Sequence, residues 1–280
     1  RSVLFQVKGT SMSATEGIHR FKVGAFACVM LQDGGRTVTQ PRTFVNASED
    51  EVVAAAQAYT DATGDPANVT SINILFVDTG EHRVLVDTGN GPENGRLLDL
   101  LPAAGIALDS IDTVIITHAH GDHIQATADD DGNPRFPNAR YVITDAEWAH
   151  WTREPGDVIQ ARLLTIEDRF EQVPTEGEIV PGITAIPAPG HTPGQIALLI
   201  ESEGERLLHV ADVFHHQVQV AYPEWYLSFD NDPETGTSSR RHLLDLAARE
   251  GLLVSTYHVG FPGMGHVRAG GDGWRWEPSR

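Results

Sequence analysis

Residues Val114–His123 read VIITHAHGDH, the densest group of metal-binding side chains in this 280-residue chain. The apolar beginning predicts a buried strand, and the polar end predicts a turn into a helix. Alternation along an extended segment places His118 and His120 on the same side. The glycine that follows lets the backbone bend, so that Asp122 and His123 come round to the same point. Three imidazoles and a carboxylate at this spacing are typical of a site for zinc or a similar metal.

Further ligands for such a metal are available downstream. His191 stands on the loop Pro189–Gly194, whose prolines and glycines fix the backbone between two predicted strands. Asp212 ends a predicted strand, where its carboxylate could bridge two cations. His258 also follows an apolar strand, whereas His266 lies in the glycine-rich segment that comes next. We favour His258 as the ligand, because a rigid strand end positions a side chain better than a flexible loop does.

Most of the apolar or alternating runs are about four to eight residues long, a length that favours strands. They are His19–Leu31, Ser71–Val77, Arg83–Val86, Thr113–Thr117, Arg140–Ile143, Ile183–Ile186, Gln195–Ile200 and Arg206–Val210. Helices are predicted between them, from capping-box patterns at Ser48–Glu51 and Thr144–Glu147 and from apolar stripes around Leu97 and Leu243. Strands and helices interspersed in both halves, without a Pro/Ser-rich linker, predict a single α/β domain.

The charge balance is acidic, since 20 Lys plus Arg against 39 Asp plus Glu give a formal net charge of −19 at pH 7. Binding to a nucleic-acid backbone needs clustered basic residues, and the longest Lys/Arg run is the pair Arg240 and Arg241. Anionic membrane surfaces are disfavoured for the same reason. No apolar run approaches the roughly 18 residues of a membrane span. We therefore expect a soluble protein that binds neither nucleic acid nor membranes.

The beginning of the chain, RSVLFQVKGTS, predicts a vector-derived remnant at residues 1–11, with Met12 as the native start and one domain over 12–280. The sequence contains no pattern of a secretory leader, which predicts a cytoplasmic protein unless an exported form has been truncated. Cys28 is the single cysteine, which excludes an internal disulfide and suits a small buried side chain. Residues 39–69 are interpreted as an insertion that either covers the site or makes a subunit contact in a homodimer.

The candidate ligands occur in the order typical of the metallo-β-lactamase superfamily, which this chain resembles: His118, His120, Asp122, His123, His191, Asp212 and His258. Asp87, in the run Val86–Gly89, is similar to the upstream strand motif of that family. The resemblance runs from around Ile72 onward and implies an αββα sandwich with metals at one edge between the sheets. It assigns three side chains to each metal: His118, His120 and His191 to one, and Asp122, His123 and His258 to the other. Asp212 would bridge the metals, and Asp87 would orient a ligand histidine.

The tail of the chain resembles one branch of the superfamily, that of methyl parathion hydrolase, which groups with lactonases and aryl esterases. The similar segments are Ser228–Asp232, Tyr257–Arg268 and Gly273–Trp276. The matching ligand of that branch is the first histidine of the tail motif, which favours His258 over His266. Two features depart from the pattern, namely Thr256–Tyr257 ahead of the ligand and the pair His215–His216. Both departures alter the expected pocket, and with it the substrate.

The resemblance implies chemistry by two divalent metal ions, with zinc as the expected metal. A hydroxide bridging the metals would attack a carbonyl carbon or a phosphorus, and Asp122 and Asp212 would be the catalytic side chains. Asp122 or a neighbouring hydroxyl would return a proton to the leaving group. Aromatic side chains are candidates for an apolar substrate wall, with core packing as the alternative for each: Trp148, Trp151, Trp225, Tyr226 and Phe229.

The acidic charge also narrows the substrate class. Superfamily nucleases hold polyanions, and glutathione-thioester hydrolases and persulfide dioxygenases hold an anionic tripeptide, for which this chain has few basic residues. A β-lactamase is disfavoured, because Asp212 stands where those enzymes have Cys or Ser. We therefore expect a dinuclear hydrolase of neutral esters or lactones, with phosphotriesters as further substrates. A mononuclear iron persulfide dioxygenase or a thioester hydrolase is the alternative, and a non-catalytic, metal-stabilised binding protein is a third hypothesis.

Overall fold

The computed structural model describes residues 16–37, 44–271 and 273–279. The predicted remnant at 1–11 and the predicted start at Met12 lie outside the described residues. Within those residues the strands form two sheets of seven strands each. Every strand of the first sheet precedes every strand of the second along the chain. Each half of the sequence therefore builds one sheet.

The first sheet contains strands β1 to β7, and their order in the sheet follows the order in the chain. The strands are Ile18–Val23 (β1), Phe26–Thr37 (β2), Val69–Asp78 (β3), Arg83–Val86 (β4), Thr113–Ile115 (β5), Arg140–Thr144 (β6) and Phe170–Val173 (β7). Strands β1 to β4 pair antiparallel, and β4 to β7 pair parallel. The parallel strands therefore end at the same edge of the sheet.

The second sheet contains β8 to β14, also in chain order. The strands are Gly177–Val180 (β8), Ile183–Pro187 (β9), Ile196–Ser202 (β10), Glu205–His209 (β11), Leu253–Ser255 (β12), Met264–Gly270 (β13) and Gly273–Pro278 (β14). Only the pair β11 and β12 is parallel, and the other neighbours in this sheet are antiparallel. The carboxyl ends of β11 and β12 therefore lie side by side.

Helices connect the strands and cover the outer faces of both sheets. They are Glu49–Thr63 (α1), Leu97–Ala103 (α2), Gly121–Ile124 (α3), Asp145–Thr152 (α4), Asp157–Arg162 (α5), Val218–Ala221 (α6) and Pro233–Glu250 (α7). Two 3-10 segments, Leu108–Ser110 and Leu164–Arg169, complete the described elements. None of the described helices is both long and apolar enough to cross a membrane.

The inner faces of the two sheets pack against each other through apolar side chains. Met30, Leu75 and Ile115 of the first sheet share a fully buried cluster with Leu198 and Leu207 of the second. Burying a side chain of this size contributes roughly 1.5–3 kcal/mol. A second cluster joins the outer face of the first sheet to α2, and a third joins the outer face of the second sheet to α7. This layering confirms the predicted αββα sandwich.

The predicted strands are present, with one of them divided. The run His19–Leu31 forms two strands, because Gly24 adopts a left-handed φ of 55° and turns β1 back onto β2. The capping box at Ser48 is complete. At Thr144 only half of the predicted box forms, because its hydroxyl accepts from the Glu147 N–H while the Glu147 carboxylate accepts from residues other than Thr144.

The end of the chain contains strands that the sequence pattern did not predict. His266 lies on β13 rather than in a loop, and its Nδ1 is 3.0 Å from the carbonyl oxygen of Leu252. The glycines that suggested a loop have another role here. A Cβ on Gly265 would lie 2.5 Å from the carbonyl oxygen of Glu277, so glycine is needed where β13 and β14 approach closely.

The described part of the 39–69 segment packs beside α6. Phe44 and Val52 share a buried cluster with Val218 and Trp225. At the other end of the segment, the carbonyl oxygen of Ala67 lies 2.7 Å from Nε2 of His216. This segment therefore buttresses the chain that follows Asp212, and a subunit contact through it stays a prediction.

Candidate metal centre

Strand ends from both sheets bring the predicted ligands together. His118 and His120 lie between the end of β5 and the start of α3, whose first turn carries Asp122 and His123. The remaining three candidates follow strands of the second sheet, namely His191 after β9, Asp212 after β11 and His258 after β12. The centre is therefore shared by both sheets, at one end of the sandwich.

Three imidazoles form the first donor set. Nε2 of His118 lies 3.1 Å from Nδ1 of His120, which in turn lies 2.8 Å from Nε2 of His191. Their ligand atoms all fall within 4.8 Å of one another. One proton can satisfy only two ring nitrogens at such distances, whereas a cation satisfies all three lone pairs at once.

The second donor set consists of Asp122, His123 and His258. Nε2 of His258 lies 3.5 Å from Oδ2 of Asp122. His123 is fully buried, and apart from a 3.4 Å approach to Oδ2 of Asp212 its Nε2 has no hydrogen-bond partner among the described residues. A buried polar atom without a partner is costly, so an ion at this point would remove the penalty.

Asp212 lies between the two sets. Its Oδ2 is 3.4 Å from Nε2 of His191 in the first set and 3.1 Å from Nε2 of His258 in the second. Its other oxygen, Oδ1, is buried and has no hydrogen-bond partner within the part of the chain that the structure describes. Burial opposes ionisation of this carboxyl, but the surrounding histidines, His258 first, hold its pKa well below the ordinary value. An ionised carboxylate is therefore available to both sets.

The donor chemistry fits two divalent cations. Imidazole nitrogens and carboxylate oxygens in a site of about four ligands suit zinc, and this chain supplies three donors to each of two positions plus Asp212 between them. The orphaned Nε2 of His123 and Oδ1 of Asp212 are the independent sign that the cluster is built to hold something charged. The structure thus brings together all seven side chains that the sequence proposed as ligands.

Carboxylates contact two of the candidate ligand histidines, His123 and His191, through the ring nitrogen that faces away from the cluster. Oδ2 of Asp87 lies 2.9 Å from Nδ1 of His123 and also accepts from the hydroxyl of Thr117. Asp230 has the same relation to His191, with its Oδ1 2.7 Å from Nδ1 of that ring. Such contacts fix the tautomer, so that the other ring nitrogen is free to bind a metal. Asp87 lies where the resemblance expects it, whereas sequence reasoning missed the role of Asp230, although its segment Ser228–Asp232 was noted.

The histidines of the first set differ in their titration. Burial, followed by the neighbouring His191, lowers the pKa of His120 to about 4. Burial also disfavours a charge on His191, but its contacts with Asp212 and Asp230 outweigh burial and raise its pKa to about 8. The set therefore combines a neutral donor with a ring that readily carries positive charge when no metal is bound.

An open cleft of about 370 Å³ leads to the cluster. Its lining consists of Gly121, Asp212, candidate ligands from both sets and two further rings, those of His215 and Phe229. Phe229 is 48% exposed and meets the rings of His191 and His215 edge on, at 5.7 and 5.2 Å. This side chain is thus the predicted aromatic that lies in the cleft.

The other predicted wall residues lie elsewhere. Trp148 packs against Phe170, 5.1 Å away, at the cluster on the outer face of the first sheet. Trp225 is buried beside the 39–69 segment, and the backbone N–H of Tyr226 is bonded to a side chain of that same segment. Trp151 contacts His120 at 5.3 Å without lining the cleft. Trp148 and Trp225 therefore follow the alternative of core packing, and neither they nor Tyr226 line the cleft.

Sequence reasoning also noted His215 only as a departure from the family pattern. The structure places it in the cleft, with its Nε2 3.0 Å from Oδ2 of Asp212 and its ring stacked on His258 at 5.0 Å. Apart from that contact with Asp212, its ring nitrogens have no hydrogen-bond partner among the described residues. The adjacent His216 turns away, since its Nδ1 accepts from the N–H of Val218. One member of the pair thus belongs to the site, and the other to the support around it.

Comparison with known proteins places this geometry in a family. The model of the metallo-beta-lactamase superfamily matches residues 67–258, and the chain belongs to that superfamily. The chain is 26% identical over 208 residues to an N-acyl homoserine lactonase of a Bacillus species, covering 65% of this chain and 79% of the relative. The predicted class, a metal-dependent hydrolase of this superfamily, is confirmed.

Two solved structures are similar over nearly the whole chain. One is AidC, described as a dizinc quorum-quenching lactonase, with a TM-score of 0.83 and 27% identity, covering 96% of this chain and 99% of that one. The other is a hydrolase of the beta lactamase superfamily, AbOPH, with a TM-score of 0.82 and 26% identity, covering 94% and 98%. The likeness extends beyond the shared sandwich to the segments before and after the family match.

Proposed function

We propose that this protein hydrolyses neutral lactones, with N-acyl homoserine lactones as the leading substrates, at a centre that holds two divalent metal ions. The observation that carries the proposal is the pair of three-residue donor sets joined through Asp212 beneath an open cleft. The similarity to a dizinc lactonase and to N-acyl homoserine lactonases supports the substrate class. The overall charge of −19 favours a neutral substrate over an anionic one.

Separate groups of residues would hold the two cations and orient the ligand rings. His118, His120 and His191 would hold one cation, and Asp122, His123 and His258 the other, with Asp212 contacting both. Bound divalent cations supply Lewis acidity, lowering the pKa of a water molecule and polarising the substrate carbonyl oxygen. Asp87 and Asp230 keep the rings of His123 and His191 oriented throughout.

Proton transfer falls to a carboxylate that reaches the cleft. The side chain of Asp122 is 33% exposed, in contrast to the 3% exposure of Asp212. We assign Asp122 to accept the proton of the attacking water and to return it to the alkoxide oxygen of the opened ring. The exposed ring of Phe229 offers an apolar contact for the acyl chain at the cleft wall.

Metal content and a substrate panel test the proposal. We expect about two metal ions per chain, most simply zinc, and the highest kcat/KM with N-acyl homoserine lactones rather than aryl esters or phosphotriesters. A preference of two orders of magnitude corresponds to about 2.7 kcal/mol of transition-state discrimination. Phe229→Ala is the matched variant, and we expect it to raise KM more for a long acyl chain than for a short one.

Other results of these experiments would favour a different function for this protein. One tightly bound iron, with oxygen consumption on a persulfide, would favour the dioxygenase alternative. A preference for phosphotriesters would keep the metal centre and change the substrate. Metal binding without turnover of any member of the panel would favour the non-catalytic hypothesis.

A further inference from the structure

Glu147 is a buried carboxylate that the proposed chemistry does not use. It lies on α4 and is fully buried. We propose that Glu147 is a positioning residue, which sets the spacing between the two loops that carry His118, His120 and His191. The inference deepens the proposed function and rests on it only in requiring that the first donor set binds a metal ion.

Both oxygens of Glu147 are fully engaged, and the donors come from three elements. Oε1 accepts from the backbone N–H of Ala119 at 2.9 Å and from Nε1 of Trp151 at 2.6 Å. Oε2 accepts from the hydroxyl of Thr192 at 2.8 Å and from the backbone N–H of Gly194 at 2.9 Å. One carboxylate thus links the loop after β5 to the loop after β9.

These donors stand immediately beside the candidate ligands. Ala119 is the residue between His118 and His120, and Thr192 directly follows His191. Every side chain of the first set therefore lies one residue from an atom that Glu147 fixes. None of the corresponding contacts involves the second set. The arrangement predicts an effect on one metal position and little on the other.

Helix α4 also packs directly against both loops. A Cβ on Gly194 would lie 2.2 Å from the backbone nitrogen of Glu147, so the loop rests directly on the first turn of the helix. The hydroxyl of Thr144 donates to the carbonyl oxygen of Gly194 at 2.7 Å. The ring of Trp151, held by its bond to Glu147, meets the ring of His120 at 5.3 Å.

A helix-capping role does not account for this side chain. Thr144 already caps α4, because its hydroxyl accepts from the N–H of Glu147. The carboxylate instead reaches out of the helix toward the two loops, with Trp151 as its single partner on α4. None of its four donors carries a charge, so only correctly placed dipoles stabilise the buried carboxylate.

The isosteric variant Glu147→Gln tests the proposal. The amide has one acceptor oxygen, and its NH₂ group cannot accept from the donors that remain. If the NH₂ group faces Thr192, the Thr192 hydroxyl can accept a hydrogen bond from it. The backbone N–H of Gly194 then still has no acceptor. We expect the affinity for the ion of the first set to fall at least about tenfold and that for the other ion to change less than about twofold.

The measurement is metal binding, and it needs no turnover. Metal-free protein is titrated with Co²⁺ against a chelator, and the d–d absorption bands report the ligand geometry at each step. His120→Ala and His258→Ala show which step belongs to which set. Asp33→Asn is the matched control, because Asp33 is also buried and accepts from three backbone N–H groups, those of Asn90, Arg96 and Leu97, away from both loops.

The outcomes separate positioning from general stability. Selective loss of the first ion with altered bands in Glu147→Gln, but normal binding by Asp33→Asn, supports the proposal. Unchanged affinities in a Glu147→Gln protein that merely melts earlier would overturn it, as would equal loss of both ions. If that variant does not fold, Thr192→Val removes one donor only, and wild-type binding of the first ion by Thr192→Val would also overturn it. Wild-type protein that binds two ions without hydrolysing lactones would defeat the proposed function and leave this inference standing.

Discussion

At the scale of single residues, Asp212 has the most consequential position. Its Oδ2 lies within 3.4 Å of nitrogens from both donor sets, and its side chain is 3% exposed. Among the described carboxylates that contact the sets, Asp212 is the one that meets nitrogens of both. If the two sets each hold a cation, this one carboxylate would offset the repulsion between the two like charges.

Replacing Asp212 by alanine should disable the centre. We expect Asp212→Ala to lower kcat/KM for a lactone at least about a hundredfold and to reduce the bound metal below two ions per chain. Elemental analysis and a lactone assay measure both effects. Asp245→Ala is the control, because Asp245 is an exposed carboxylate on α7 whose partner among the described residues is surface Arg249. Full metal content with normal turnover in Asp212→Ala would contradict the assignment of this residue.

Cys28 gives a prediction that is independent of metals. It is 1% exposed in the cluster between the sheets, and burial raises its pKa to about 12. At pH 8 only about 10⁻⁴ of the thiol is ionised, and the thiolate is the reactive form. We expect labelling by a disulfide reagent to be at least about a hundredfold slower in the native protein than in 6 M guanidinium. Complete labelling of native protein within seconds would show that the strand β2 is not packed as described.

At the scale of elements, the ligands depend on loops that approach other backbone closely. Gly190, next to His191, has a φ of +128°, and a Cβ there would lie 2.1 Å from the backbone nitrogen of Gly236 on α7. The reverse contact is not tight, because a Cβ on Gly236 would meet Gly190 no closer than 3.6 Å. A side chain would therefore clash at Gly190, whereas an alanine fits at Gly236.

This asymmetry predicts opposite results for two alanine variants. We expect Gly190→Ala to lower the free energy of unfolding by about 3 kcal/mol, since backbone strain adds to a clash with helix backbone. Gly236→Ala should change the stability between zero and a gain of about 1 kcal/mol, because alanine is the better helix former. Urea unfolding of the metal-free proteins compares them. Similar losses in both variants would contradict the one-sided contact between the loop and α7.

At the scale of the whole molecule, the apolar clusters and the metal centre are separable. The clusters between the sheets and on their outer faces contain none of the candidate ligands. They bury enough apolar side chains to hold the sandwich without an ion. The centre lies at the strand ends, where its histidines and carboxylates stabilise the fold only when a cation is present.

Metal removal should therefore abolish activity without unfolding the chain. We expect chelated protein to keep its far-UV circular dichroism and to melt earlier. One site at a free zinc concentration of 100 times its Kd contributes about 2.7 kcal/mol, or about 5 °C in a chain of this size. Returning zinc should restore both the melting temperature and lactone turnover. A chelated protein that is unfolded at 25 °C, or that hydrolyses lactones at the original rate, would contradict this expectation.

Local patterns made much of the molecule predictable. Short apolar runs with turn signals predicted most strands, and the capping box at Ser48 marked the start of a helix. The predictions failed where the conformation or the packing of a residue depends on a partner that is distant in the sequence. Gly265 resembled a loop residue because its neighbour in β14 is not visible in sequence, and Trp225 resembled a cleft residue because its packing against Phe44 crosses the molecule.

The sequence by itself determined the donor chemistry, because the type and order of the histidines and aspartates are properties of the chain. It also determined the α/β class, because strand and helix periodicities are local, whereas the αββα sandwich followed from the resemblance to the metallo-β-lactamase superfamily. Only the tertiary structure decided which carboxylates stand behind the ligands, with Asp230 behind His191 and Glu147 between the loops. Those partners lie 28 to 47 positions away along the chain. Contacts across such separations depend on how the two sheets pack, which no local pattern encodes.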